Sequence, residues 1–308
     1  MQSTDGTWGQ AMLTVPAARA DQFQGVGTMS AVRRLLEYGW HRDTPPLIHA
    51  RRILFRLLAE DHDPDYLFEF GAKGAAEDEE MARRGRAILR EAAAATLAQA
   101  GYEADPRLRG AARRIVERVS SYLRSPLAQN PFVRVGTQHA LPAEATPPSS
   151  YTLLMLAHMP QFRNEHHEMM ALLYRHLAEP LPRYEAMQLC GKKVVAQPHL
   201  VLGDRLPNAN VADTDVAFAM TWLELMARLG FLRKNDAWTT LFDRFLDDRD
   251  AQGIWHPRKG TSAGRSSNPF VWPIYPLEAR LSGDERWTDM TFRLGLIGRL
   301  IGREIEIA

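Results

Sequence analysis

The chain has 308 residues, of which 45% are hydrophobic, and its formal net charge at pH 7 is +1. This composition can fill a sizeable core, and the near-neutral charge gives the chain as a whole no attraction to nucleic acid or to an acidic surface. The single cysteine, Cys190, excludes an internal disulfide framework and a zinc site built from several thiolates. Neither a signal-peptide pattern nor an apolar run long enough to cross a bilayer is present, so we expect a soluble, cytoplasmic protein.

Helical spacing of apolar residues dominates the first 125 residues. Pro45 and Pro46 suit the first turn of a helix, where a missing N–H costs no hydrogen bond. Asp105 followed by Pro106 marks another helix start. The spacing predicts four helices in this part, over 28–38, from 45 to before 63, from about 80 to 101 and over 105–122.

Prolines interrupt the segment 125–150, and no helix is predicted in it. We interpret this segment as a crossing stretch within a single helical domain that covers 1–308. Further helices are predicted over 151–158, 162–177, 183–195, 213–229, 235–248 and 286–302, with a Gly-, Ser- and Pro-rich loop over 253–276. The predicted fold class is therefore all-α.

Two consecutive helices indicate how the others are arranged. The helix over 213–229 is apolar on more than one face, which is typical of a buried helix, and Gly230 ends it. The helix over 235–248 is amphipathic, with Trp238 and Phe242 on its apolar side. An inner helix followed by an outer helix predicts a fold built from paired helical layers.

Two short turns carry a family resemblance. Residues 5–9 read Asp-Gly-Thr-Trp-Gly, and residues 250–255 read Asp-Ala-Gln-Gly-Ile-Trp. Both resemble the Gln/Asp-Gly-x-Trp turns of the α/α-toroid superfamily that contains terpenoid cyclases and protein prenyltransferases. The resemblance implies two concentric rings of paired helices, and a HEAT-like helical solenoid is the alternative architecture.

Within that resemblance, Asp213-Thr214-Asp215-Val216 is similar to the Asp-x-Asp-Asp motif of class II terpene cyclases, with valine in place of the last aspartate. The resemblance implies that Asp215 donates a proton to an isoprenoid substrate and that Asp213 orients it. Such an acid needs a pKa raised by a dry cavity. The structural alternative is that Asp213 caps the helix and Asp215 lies in its first turn.

Aromatic and cationic residues are candidates for binding the ligand of such a cavity. Aromatic faces stabilise cations, so Trp222, Trp255, Trp272 and Tyr275 are predicted to line it. Buried aromatic residues also serve simply as core. The loop that contains Arg258 and Lys259 is a candidate for holding a diphosphate, and a solvated surface loop is the alternative.

Residues 165–168 read Glu-His-His-Glu, a composition that suits metal ions. On a helix, His166 falls on the apolar face while His167 and Glu168 turn away, so they do not converge on one ion. We therefore predict no metal site, and no organic cofactor is indicated.

A second functional hypothesis rests on charge. Between Met81 and Arg124 there are ten arginines and four acidic residues, and the helices from Arg83 to Arg124 could follow a phosphate backbone. The alternative function is a non-catalytic helical-repeat scaffold that binds protein or nucleic acid through this arginine-rich face. A solvated face, neutralised in part by the acidic residues just upstream, explains the same pattern without a ligand.

Overall fold

The computed structural model describes residues 2–9, 11–15, 25–59, 79–206, 209–258, 261, 268–277 and 287–304. These residues form two compact units. The first unit contains the described residues up to Thr14 and those from 25 to Asp204, and the second contains Val15 and the described residues from Arg205 onward. The single helical domain over 1–308 stays a prediction.

Both units are mainly helical, which confirms the predicted helical class. Among the described residues of the first unit, the α-helices are α1 (Thr28–Glu37), α2 (Pro45–Leu57), α3 (Glu79–Gln99), α4 (Pro106–Arg124), α5 (Ser150–Ala157), α6 (Pro160–Glu165) and α7 (His167–Ala178). Its antiparallel hairpins pair β1 (Val133–Val135) with β2 (Gln138–Ala140), and β3 (Met187–Cys190) with β4 (Lys193–Ala196). In the second unit the helices are α8 (Ala209–Thr214), α9 (Val216–Arg228), α10 (Asp236–Asp247) and α11 (Thr288–Leu300). Among the residues with assigned structure, no helix combines the length and the apolar composition that crossing a bilayer needs.

Helix α3 is the central helix of the first unit and packs against α1, α2, α4 and α5. Its second half carries the alanine run Ala92–Ala95, whose side chains are at most 1% exposed. Alanine has the highest helix propensity, and its single methyl group lets neighbouring helices approach closely. The alanine run therefore explains how one helix contacts four others.

A buried carboxylate joins α3 to two of these neighbours. Glu91 of α3 pairs with Arg118 of α4. The hydroxyls of Ser149 and Thr152, at the start of α5, donate to the other oxygen of Glu91, with 2.9 Å for Thr152. Ser149 also caps α5, because its hydroxyl accepts the Thr152 N–H at 3.0 Å. Because a buried carboxylate without partners is strongly destabilising, this network favours one arrangement of α3, α4 and α5.

The structure corrects two predicted helices. The helix predicted over 183–195 is wrong, because this stretch forms the β3–β4 hairpin. Gly191 takes φ +59° at its turn, and the β-branched Val194 and Val195 favour the extended strand. The helix predicted over 162–177 is two helices, α6 and α7, because His166 between them has non-helical backbone angles.

In the second unit, α9 is buried on nearly every side, as predicted, and it packs against α11. Glu224 of α9 accepts a hydrogen bond from Arg228 and another from Arg293 of α11, both at 2.9 Å. Arg293 also donates to the carbonyl of Ile274 at 3.2 Å. Burial alone would raise the pKa of Glu224, but the charges of Arg293 and Arg228 outweigh burial and lower the pKa below its ordinary value.

The two glycine–tryptophan turns, one in each unit, have the same backbone hydrogen bonds. In each turn, the residue five positions before the tryptophan donates its N–H to the carbonyl of the residue immediately before the tryptophan. The glycine two positions before the tryptophan has a positive φ, and its N–H donates to the carbonyl of the residue five positions before the tryptophan. These bonds are Ser3 to Thr7 (2.8 Å) and Gly6 to Ser3 (3.0 Å) in the first turn, and Asp250 to Ile254 (2.9 Å) and Gly253 to Asp250 (3.0 Å) in the second.

A threonine ties each turn to a helix. The backbone N–H of Trp8 donates to Oγ1 of Thr28 at the start of α1, at 3.0 Å. The N–H of Trp255 donates to Oγ1 of Thr291 in the first turn of α11, also at 3.0 Å. The two turns therefore share the same backbone hydrogen bonds and the same hydrogen bond from the tryptophan N–H to a threonine hydroxyl.

The two turn glycines provide a matched pair of substitutions. Gly6 and Gly253 have φ +94° and +79°, where a side chain costs about 1–2 kcal/mol. A β-carbon on Gly6 would also lie 2.9 Å from the carbonyl of His49, whereas one on Gly253 would meet nothing within 4 Å. We expect Gly253→Ala to lower the free energy of unfolding by about 1–2 kcal/mol and Gly6→Ala to lower it further, as measured by urea unfolding. Equal effects of the two substitutions would show that the His49 contact is unimportant.

A pH dependence follows from Glu224. Because its folded-state pKa lies below the ordinary value of 4.5, Glu224 contributes stability above about pH 4.5 that is lost as the pH falls through the folded-state pKa. We expect Glu224→Gln to destabilise the protein by about 3–5 kcal/mol at pH 7, because it leaves Arg293 buried without its carboxylate. The variant should also lose less stability than the parent between pH 5 and pH 3, as measured by urea unfolding across this range. Glu168→Gln, which changes a carboxylate 78% exposed, is the control and should match the parent.

Candidate functional site

The two predicted acid residues have separate structural partners. Asp215 is the exposed N-cap of α9, and its carboxylate accepts the Phe218 N–H at 2.9 Å. Asp213 lies in α8 and accepts two hydrogen bonds from the Arg244 guanidinium, at 2.7 and 3.2 Å. The structural alternative predicted that Asp213 caps the helix and that Asp215 lies in its first turn. The structure corrects this prediction, because Asp215 is the cap. The proton-donor role of Asp215 stays a prediction.

Two of the predicted cavity residues lie in the core of the second unit. Trp222 and Trp255 are each 1% exposed. Trp222 stacks on Phe218 at 6.3 Å between ring centroids. Trp255 packs against Phe245 at 6.3 Å and meets Trp287 edge to face at 5.6 Å. These are contacts that core aromatic residues usually make.

The other predicted ligand residues lie in the same unit. Trp272 and Tyr275 are buried in the turn segment 268–277. Nε of Arg258 donates to both carboxylate oxygens of Asp248, at 2.9 and 3.1 Å. Lys259 lies outside the described residues.

Ion pairs neutralise much of the predicted arginine-rich face from Arg83 to Arg124. Seven of its arginines pair with carboxylates of the first unit: Arg83 and Arg84 with Glu80, Arg86 with Glu79, Arg107 with Asp105, Arg109 with Glu165, Arg118 with Glu91, and Arg124 with Glu168. The unneutralised positive charge on these helices is therefore smaller than the number of arginines in the sequence suggests.

A surface cleft of about 520 Å³ in the first unit brings together arginines from two parts of the chain. We call it the arginine cleft. Its lining consists of Arg51, Arg52, Phe55 and Arg56 from α2, Tyr102 from the link after α3, and Asp105 and Arg107 at the start of α4. The lining therefore contains four arginines and one aspartate.

Aromatic rings hold two of these arginines in position. The guanidinium carbon of Arg107 lies 3.7 Å from the centroid of the Phe55 ring. Arg51 lies over the ring of Tyr102 at 5.5 Å and donates to its hydroxyl at 3.0 Å. The two rings pack edge to face at 5.7 Å. Stacking on a ring orients a guanidinium without cancelling its charge, so the cleft stays positive.

The carboxylate of the cleft is already engaged. Asp105 caps α4 by accepting the Arg107 N–H at 2.9 Å. The Arg107 guanidinium also donates to it at 2.8 and 3.1 Å, which lowers the pKa of Asp105 and raises the pKa of Arg107. Among the described residues, Arg52 pairs with no carboxylate, and the nearest carboxylate oxygen to Arg51 belongs to exposed Asp43, at 3.8 Å. Asp105 therefore offsets Arg107, whereas no carboxylate among the described residues offsets Arg52.

Sequence reasoning placed only Arg107 of these four arginines in a candidate surface. A local signal for the others was present, since Arg52 and Arg56 are four residues apart and therefore share a helix face. Arg51 and Phe55 have the same spacing. The missing information was spatial, because no pattern within α2 shows that it packs beside the start of α4.

A second cleft, of about 500 Å³, contains the Glu-His-His-Glu stretch over 165–168 and residues of α4. The His166 ring stacks on Phe162 at 4.1 Å and hydrogen-bonds to the carbonyl of Phe162 at 3.0 Å. In the part of the chain that the structure describes, no three histidine, cysteine or acidic side chains are grouped so as to hold a metal ion. Of these two clefts, the arginine cleft is the one with a surplus of positive charge, because four arginines and one aspartate line it.

Comparison with known proteins adds no further assignment. No protein family, characterised protein or solved structure matches this chain. The resemblance to terpenoid cyclases stays a prediction that rests on the two turns and on residues 213–216.

Proposed function

We propose that the first unit is a binding module for a phosphate-bearing ligand, which it holds in the arginine cleft. The observation that carries this proposal is the convergence of four arginines on one cleft with a wall formed by Phe55 and Tyr102. Arginine suits this role because its planar guanidinium donates paired hydrogen bonds to phosphate oxygens and keeps its charge at any physiological pH.

The balance of charge supports a ligand over a purely structural role. Elsewhere in the first unit, several arginines of α3 and α4 have carboxylate partners, such as Glu80 for Arg84 and Glu91 for Arg118. In the cleft, exposed Arg52 has no carboxylate partner among the described residues, and the one lining carboxylate is engaged by Arg107. Clustering guanidinium groups is destabilising by itself, and an anionic ligand reduces that repulsion.

The position of α4 supports the same ligand chemistry. Arg107 is the second residue of α4, so the positive end of the helix dipole faces the same region as the guanidinium groups. The helix dipole and the cations together favour an anion. The backbone N–H groups of Arg107 and Arg109 in this first turn already donate to Asp105, at 2.9 and 3.0 Å.

The test uses inorganic triphosphate and ATP as probes, measured by isothermal titration calorimetry. We expect Arg52→Ala and Arg56→Ala each to weaken binding roughly 10- to 100-fold, because each removes a charge-assisted contact of about 1.5–3 kcal/mol. Arg113→Ala, which removes an exposed arginine of α4 outside the cleft, is the matched control and should leave binding unchanged. Absence of binding by the parent, or equal effects of all three substitutions, would contradict the proposal.

A second candidate function is the terpenoid-cyclase-like one, in which an α/α toroid binds an isoprenoid and Asp215 starts an acid-initiated cyclisation. Its support is the backbone hydrogen-bond pattern that the two glycine–tryptophan turns share, because recurring turns accompany repeated structural units. The toroid arrangement and the alternative solenoid both remain proposals.

Two substitutions of Asp215 distinguish the cyclase candidate from a role in which Asp215 only caps α9. Asparagine caps helices as well as aspartate does, whereas alanine loses about 1 kcal/mol. If Asp215 only caps α9, Asp215→Asn should match the parent in urea unfolding and Asp215→Ala should be about 1 kcal/mol less stable. If Asp215 is the acid, Asp215→Asn should also abolish conversion of squalene or a linear polyprenyl diphosphate, measured by mass spectrometry of extracted lipid. A parent protein that converts neither substrate would refute the cyclase candidate.

A further inference from the structure

We propose that the ligand of the arginine cleft is a single-stranded nucleic acid, whose bases stack on Tyr38 and Trp40 in the link between α1 and α2. This inference rests on the proposed function, which concerns the cleft alone. It adds a second, aromatic part to the site and thereby specifies the class of ligand.

Two exposed aromatic residues lie next to each other in this link. Tyr38 is 47% exposed and Trp40 is 44% exposed, although large aromatic side chains are usually mostly buried. The Arg34 guanidinium lies over the Tyr38 ring at 5.4 Å and donates to its hydroxyl at 3.2 Å. This contact orients the Tyr38 ring while leaving about half of it accessible.

The backbone of the link is fixed by the way in which α1 ends. Gly39 takes φ +80°, and its N–H donates to the carbonyl of Leu36 at 3.0 Å. The N–H of Trp40 donates to the carbonyl of Leu35 at 3.0 Å. This is the Schellman pattern, in which the residue after the glycine often packs back on the helix. Trp40 instead exposes much of its indole, so the turn presents a large aromatic ring to solvent from a rigid backbone.

Arg42 connects this aromatic turn to the arginine cleft. It lies two residues after Trp40, which limits the separation of their Cα atoms to about 7 Å. Its Nη1 donates to the carbonyl of Gly101 at 2.6 Å, and its guanidinium lies over the ring of Tyr102 at 4.8 Å. Tyr102 lines the cleft. The exposed aromatic turn is therefore anchored to the wall of the cleft.

The resulting surface combines aromatic rings with guanidinium groups. Arg42 and Arg51 both lie over the ring of Tyr102, at 4.8 and 5.5 Å. Tyr102 meets Phe55 edge to face at 5.7 Å, and Arg107 lies over Phe55 at 3.7 Å. Single-stranded nucleic acids are recognised by this combination, because cations follow the phosphates while aromatic side chains stack on bases. Bases in a duplex are already stacked on each other, so the aromatic turn favours a single strand.

The test measures fluorescence anisotropy of a labelled single strand of about 12 thymidines, a duplex of the same length, and calorimetry with ATP. We expect the parent to bind the single strand more tightly than the duplex. Trp40→Ala should weaken single-strand binding about tenfold, because it removes one stacking surface, and should leave ATP binding unchanged. Trp40→Phe should retain most of the affinity. Tyr184→Ala, which removes another exposed aromatic side chain of the first unit, is the control and should have no effect.

The outcomes separate this inference from the proposed function. If the parent binds ATP through Arg52 and Arg56 but Trp40→Ala binds the single strand as tightly as the parent does, the cleft proposal stands and the single-strand inference is wrong. Equal affinity for the duplex would also overturn the inference. If the parent binds none of the three probes, both proposals fail.

Discussion

Close packing around the alanine run of α3 is the constraint on which the first unit depends. Four helices contact α3, and only small side chains such as those of Ala92–Ala95 allow this. The same packing places α2 beside the link between α3 and α4, where Phe55 meets Tyr102. The arginine cleft is therefore a consequence of how the core is packed, although its arginines take no part in that core.

The distribution of ion pairs explains how a chain with a net charge of +1 can gather four arginines in one cleft. Carboxylates are concentrated next to the arginines of α3 and α4, where Glu91 and Glu80 each have arginine partners. In the second unit, Glu224 similarly binds Arg228 and Arg293. Arg52 of α2, by contrast, has no carboxylate partner among the described residues, and Arg51 lies 3.8 Å from exposed Asp43.

Local patterns predicted much of the helical structure. Pro45, Asp105 and Asn235 mark helix starts that the structure confirms, and the apolar character of α9 correctly indicated burial. These features depend on neighbours within a few residues, which a sequence displays directly. The hairpin at Gly191 was missed because a short stretch with mixed polarity fits a helix and a hairpin equally well until its tertiary contacts are known.

The candidate site was harder to predict, because its members are far apart in the chain. Arg51 and Tyr102 are brought together by packing on α3, and nothing local to either residue indicates the other. The residues singled out by motif, Asp213 and Asp215, illustrate the opposite case. They are close in sequence, but an ion pair with Arg244 and a helix cap give them different partners.

The equivalence of the two glycine–tryptophan turns has a consequence for how the chain can vary in length. The tryptophan N–H and its threonine are 20 residues apart in the first turn and 36 residues apart in the second. Loop closure depends only logarithmically on length, so this difference corresponds to about 0.5 kcal/mol. Each turn is thus tied to its threonine at an entropic cost that changes little with the length of chain between them, so residues added between Trp255 and Thr291 outside the buried segment 268–277 should cost little stability.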